Sequence, residues 1–171
     1  MSTAPFLAVG DVCERLSISR STLQNIFPHL AHLSFSVSGR SERQTRLFPT
    51  TYIDSYAAFL RQHSVAATIP SARAFGQTAT ARQRVQEARQ SLAATIAARE
   101  THTPDQIAEM LGIGRATITG WERAGVLRVE RGKVRGGKVV PLGPRQRMLQ
   151  GRQLIPASEL RQAAVWVMPQ Q

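Results

Sequence analysis

DVCERLSISRSTL, residues 11–23, returns 95 positions later as QIAEMLGIGRATI, residues 106–118. Five of the thirteen positions are identical (Glu14/Glu109, Leu16/Leu111, Ile18/Ile113, Arg20/Arg115, Thr22/Thr117), and most of the others keep apolar or small character. The chain therefore reads as two copies of one module. In the second copy Thr103 can cap a helix, Pro104 suits the first helical position, and Gln106 three residues after Thr103 completes a reciprocal start signal. Ile107, Ala108 and Leu111 recur at steps of three and four and face inward, and Gly112 supplies the left-handed residue that ends a helix. Ile113 then plugs the turn, Gly114 stands where copy one has Ser19, and Arg115–Arg123 form a second helix with Arg115, Ala116 and Thr119 outward. In copy one, Pro28 within QNIFPHL (24–30) stops the corresponding helix near the residue before it.

Working outward, residues 61–80 hold Pro70, Gly76 and many small side chains, which predicts a linker with at most short structure. Residues 81–100 lack Gly and Pro, and Val85, Ala88, Leu92 and Ile96 make a narrow apolar stripe, which predicts a helix spanning about 30 Å. That stripe either pairs with its copy in a second chain or serves as a strut within one chain; a homodimer through residues 81–100 is the expectation. After the second helix, Leu127, Val129, Val134, Val139 and Val140 are strand formers, and RGGK (135–138) places two glycines where a two-residue hairpin turn needs positive φ. The interval before the closing helix is about twelve residues longer in copy two, since Leu16/Leu111 are 95 apart and Leu47/Leu154 are 107 apart. The expected organisation is 1–60 as a first module, 61–80 as linker, 81–100 as connecting helix and 101–171 as a second module.

The 171 residues carry 22 basic against 11 acidic side chains, a formal charge of +11. All but Lys133 and Lys138 of those bases are arginine, whose planar fork bonds phosphate and guanine bidentately. Arg128, Arg131, Lys133, Arg135, Lys138, Arg145, Arg147 and Arg152 stand against Glu130 alone, so the excess concentrates on the valine-bearing ribbon of copy two. With 42% apolar but only 6% aromatic residues, two small, mainly helical cores fit better than one large β core.

Other chemistries find little support. Cys13 is single and sits in the inward stripe with Val12 and Leu16, so it reads as a core residue. His29, His32, His63 and His102 lack the neighbours of a metal shell, and neither metal nor cofactor is expected. Gly136–Lys138 is followed by Val139 and lacks the earlier glycine of a phosphate loop. Ser19, Ser21 and Ser41 have no paired His and Asp in plausible context, so no enzyme is expected. Trp121 reads as a core anchor rather than a base-stacking group. Residues 1–12 show no leader pattern and no window approaches a membrane span, which gives a cytoplasmic, nucleoid-associated protein as the expectation.

TITGWERAGVL, Thr117–Leu127, resembles the segment that follows the helix-turn-helix in MerR-family regulators and the related excisionase-like winged helices; Trp121, Glu122, Arg123, Gly125, Val126 and Leu127 carry the match. RQLIPASEL (152–160) resembles the start of that family's closing helix, and RLFPTTYI (46–53) ends copy one similarly, although copy one lacks the Glu-Arg-x-Gly signature. The resemblance implies a mainly α fold with small β-wings, tandem winged helix-turn-helix modules joined by a linker and a long helix. It also implies double-stranded DNA as partner, met by recognition helices bearing Arg20, Ser21, Thr22 and Gln24 in copy one and Arg115, Ala116, Thr117, Thr119 and Arg123 in copy two. The wings contribute Arg40, Arg43 and Arg46, and Arg131, Lys133, Arg135, Lys138, Arg145, Arg147 and Arg152. No effector domain follows, so no small-molecule effector is expected. A small repressor of a bacterium, phage or plasmid is the leading expectation; the alternatives are an architectural accessory factor in recombination or partition, or an interaction adaptor with one DNA-binding half.

Overall fold

Each copy opens on a two-residue strand that leads straight into a helix pair. β1 (Phe6–Leu7) precedes α1 (Val9–Leu16) and α2 (Arg20–Ile26), while β4 (Thr101–His102) precedes α6 (Pro104–Leu111) and α7 (Arg115–Arg123). The computed structural model describes residues 4–37, 40–135, 138–141 and 152–169. The turn between the helices has one physical cause in both copies. Ser17 (φ 53°) and Gly112 (φ 66°) adopt the left-handed conformation, their amides donate to Glu14 and Glu109, and the next amides, of Ile18 and Ile113, donate to Cys13 and Ala108. Both isoleucines are half-buried between the helices. The Thr103–Gln106 capping box forms as the sequence predicts, and α2 ends at Ile26, where Pro28 leaves only a 3-10 turn over Phe27–His29.

Sheets close each copy. In the first, β2 (His32–Val37) and β3 (Arg40–Pro49) form a hairpin, with β1 added beside β3 through Phe6↔Pro49 and Leu7↔Phe48. In the second, β5 (Glu130–Arg135) pairs with β6 (Lys138–Pro141) and β7 (Arg152–Pro156), and β4 joins β7 through Thr101↔Pro156 and His102↔Ile155. Pro49 and Pro156 each end a strand and start a helix, α3 (Thr50–His63) and α8 (Ala157–Ala163). The extra length of copy two thus includes strand β6. Copy one has a fourth strand too, borrowed from the chain's end: β8 (Ala164–Val167) pairs antiparallel with β2, giving orders β1-β3-β2-β8 and β4-β7-β5-β6. Among the described residues the chain is mainly helical with small antiparallel sheets.

Around Leu33–Phe35 and Leu47–Phe48 the first sheet is buried on both faces. Period-2 alternation puts His32, Ser34 and Phe48 against the core of copy one, while Leu33, Phe35 and Leu47 join Ile107, Leu111, Ile118 and Trp121 in the core of copy two. The Trp121 indole stacks on Phe35 at 4.3 Å between centroids, and its Nε1–H donates to Thr45 Oγ1 at 3.0 Å. Trp121 is the core anchor expected of it, but it fastens one copy to the other.

One stretch differs from the expectation. Residues 61–80 do not form a linker: α3 runs to His63, and α4 (Ile69–Gly76) buries Phe75 against Tyr52, Tyr56 and Phe59. Burying a Phe gains about 1.5–3 kcal/mol, which outweighs the roughly 1 kcal/mol that glycine costs a helix, and here Gly76 is only the last helical residue. Thr68 and Ser71 cap α4 reciprocally. The apolar stripe of α5 (Ala79–Ala97) is likewise covered within the chain, Ala81 and Val85 in the first core, Leu92 and Ile96 in the second. Within the chain the stripe serves as a strut between the two cores, one of the two roles expected of it.

Candidate nucleic-acid interface

At about 100° per residue, Arg115, Ala116, Thr119 and Arg123 fall on one stripe of α7, and Ile118 and Trp121 on the opposite side. Arg115, Ala116 and Arg123 are exposed, Thr119 is half-buried with its hydroxyl donating to the Arg115 carbonyl at 3.3 Å, and Ile118 and Trp121 are buried. Glycine ends the helix as the sequence requires: Gly125 has φ 74°, and the amides of Gly125 and Val126 return to the carbonyls of Glu122 and Trp121. Gln153 on β7 donates to Glu122 Oε2 at 3.3 Å, tying the flank of α7 to the sheet. Arg115 Nη1 lies 3.2 Å from Asp105 Oδ2 on α6, both side chains more than half exposed. An exposed pair of this kind contributes only about 0.2–1 kcal/mol, so its interest lies in where it holds the guanidinium.

The first copy repeats the stripe with Arg20, Ser21 and Gln24, all exposed on α2. Ser19 caps the helix, its Oγ accepting from the Thr22 amide at 3.1 Å and lying 2.8 Å from the Ser21 hydroxyl and 2.9 Å from that of Thr22. Thr22 and Thr117, expected among the reading residues, are half-buried and sit off the exposed stripe by roughly half a turn. Asn25, exposed on α2, was not singled out by sequence, and Arg128, counted there in the basic run but not among the contact residues, is exposed just after α7. Asp105 was missed as well; the signal available was its place ten residues before Arg115 on a helix that packs against α7.

The ribbons differ. Arg131, Lys133 and Arg135 belong to β5, Lys138 to β6 and Arg152 to β7, the strands flanking the Gly136–Gly137 pair as the hairpin reading requires. Only the backbone of these five is described; Arg145, Arg147 and the glycine pair lie outside the described residues. Arg40 and Arg43 likewise have a described backbone only, on β3. Arg46, expected as a wing contact, is instead drawn onto the protein: its guanidinium lies 4.7 Å from the centre of the Phe27 ring, next to the stretch of sheet whose residues Leu33–Phe35 and Leu47–Phe48 are buried on both faces. Beside it, His32 is buried between Phe27 and Phe48, with Nδ1 2.9 Å from the Leu30 carbonyl. Burial, and secondarily the Arg46 charge, push its pKa below the usual histidine value, while the Leu30 bond opposes them.

Between β1, α3 and α5 the seam of the two copies carries a cleft of about 510 Å³, lined among others by Phe6, Pro49, Asp54, Glu87, Leu92 and Met110. Among the described residues no three His, Cys, Asp or Glu side chains gather as a metal shell, and no helix is long and apolar enough to cross a membrane. No protein-family model, no curated protein and no solved structure matches the chain.

Proposed function

We propose that the chain is a sequence-specific double-stranded DNA-binding protein, built as a tandem winged helix-turn-helix of MerR or excisionase type and acting as a small repressor. The observation that carries the reading is the α7 stripe: Arg115, Ala116, Thr119 and Arg123 on one outward face of a helix whose other face is locked into the core, next to a ribbon whose charged residues are all basic except Glu130. A helix of this bore fits the major groove, and arginine there can take guanine bidentately. The net charge of +11 supplies the sequence-independent attraction. α2 offers a second head with Arg20, Ser21 and Gln24, so one chain carries what a dimer of single-headed proteins would assemble.

The two kinds of contact separate by mutation. Arg115→Ala removes a base contact worth about 1–3 kcal/mol of discrimination, and relaxes the preference measured by selection from a random duplex pool. Arg135→Ala or Lys138→Ala lowers affinity for all sequences alike. Equal losses on selected and random duplex for Arg115→Ala would remove α7 as the reading head. Footprinting on genomic fragments then gives the number of heads engaged.

A further inference from the structure

Arg115 and Arg20 hold the same place in the two copies, the first residue of α7 and of α2, on the same edge of the outward stripe. What stands behind them differs. Asp105, second residue of α6, holds the Arg115 guanidinium through Nη1, and the position that corresponds to Asp105 in copy one is Gly10. Among the described residues no carboxylate lies within ion-pair distance of Arg20.

We propose that Asp105 is a positioning residue that makes Arg115 a base reader, whereas Arg20 serves as a phosphate contact; this rests on the DNA-binding reading above. A bidentate contact to guanine uses two donors on one edge of a planar fork, so the plane must be set as well as the position. A carboxylate that takes an Nη donor from the other side sets that plane before the duplex arrives. The pair is weak in water and strengthens as the groove displaces solvent from it. Asp105 also carries a negative charge toward a polyanion, which repels the phosphates nearest α6 and leaves the base edge as the favourable partner of Arg115. A carboxylate that acted only through its charge would weaken binding to every sequence equally, and that difference makes the roles separable. Asp105 lies in the first turn of α6, where a negative side chain also favours the helix dipole; loss of that effect lowers the melting temperature slightly and leaves the ratio of two affinities unmoved.

The test uses the full chain, a duplex selected by the wild type from a random pool, and a scrambled duplex of equal length, all at one salt concentration. For Asp105→Asn the ratio of the two affinities falls about two- to fivefold, while affinity for the scrambled duplex is unchanged or higher. Gly10→Asp provides the reciprocal: a Cβ at Gly10 meets nothing within 4 Å, and the added carboxylate sharpens base preference at a position the wild type leaves degenerate. An Asp105→Asn protein that gains affinity for both duplexes by the same factor, or keeps the wild-type ratio, overturns the positioning role. A wild type that selects no sequence at all defeats the DNA reading beneath it, a result visible before any variant is made.

Discussion

Replacing Trp121 and Phe35 by alanine, singly and together, probes the joint between the two copies. Trp121 is 6% exposed and Phe35 1% exposed, and their rings stack at 4.3 Å with an interplanar angle of 23°. Truncating a buried Trp or Phe to Ala costs about 3–5 kcal/mol, a large fraction of the roughly 5–15 kcal/mol that holds a typical domain folded. The two residues lie 86 positions apart in sequence, one on a helix of copy two and one on a strand of copy one. Each alanine removes the partner of the other ring, so the double variant loses less than the two singles combined, by about 1–3 kcal/mol. Trp121→Phe, which keeps most of the apolar area but gives up the bond to Thr45, costs about 1 kcal/mol from that bond. Urea denaturation followed by circular dichroism measures all four proteins. Losses that add to within about 0.5 kcal/mol would place the rings in independent cores and refute the docked arrangement.

Two further outcomes follow from local chemistry. Gly112→Ala destabilises by more than about 1 kcal/mol, because φ is +66° and the new Cβ would lie 2.7 Å from Ala4 Cβ and 3.1 Å from the Phe6 carbonyl; thermal melting checks it, and an unchanged midpoint contradicts it. His32 takes a proton less readily folded than unfolded, so the unfolded chain binds more protons just below the ordinary value of 6.5. The stability held by neutral His32 is therefore complete above about pH 6.5 and is lost as pH falls from there toward its lower folded pKa. Urea midpoints taken from about pH 7.5 to about pH 5.5 should decline, and less so for His32→Phe; identical declines would assign the effect elsewhere.

Local grammar was the legible part of the fold. The repeat at an interval of 95 residues fixed both helix pairs, since Gly112, the Thr103–Gln106 box and Pro28 act through neighbours a few positions away. α4 escaped because its punctuation looked like a loop, although Pro70 is harmless in a first turn and Gly76 at a last residue. Thr68 with Ser71 was the signal that could have found it. The docking of the copies was harder to see, since LSFSV (33–37) reads as a strand with one apolar face, and nothing nearby says that Trp121 covers it. β8 was hidden for a similar reason: AVWV (164–167) follows a helix directly, and its partner β2 lies more than a hundred residues earlier. At the candidate interface the exposed arginines followed from helical spacing, whereas the capture of Arg46 by Phe27 and of Arg115 by Asp105 depended on elements brought together by the fold.

The most direct measurement of whether a cationic ribbon and an arginine-bearing helix meet a duplex is the salt dependence of binding by the purified full chain. With roughly six to ten phosphates neutralised, affinity for the selected duplex falls about 10³- to 10⁵-fold between about 50 mM and about 200 mM salt. Binding that is undetectable at the lower salt, or that changes less than about tenfold over that range, contradicts it.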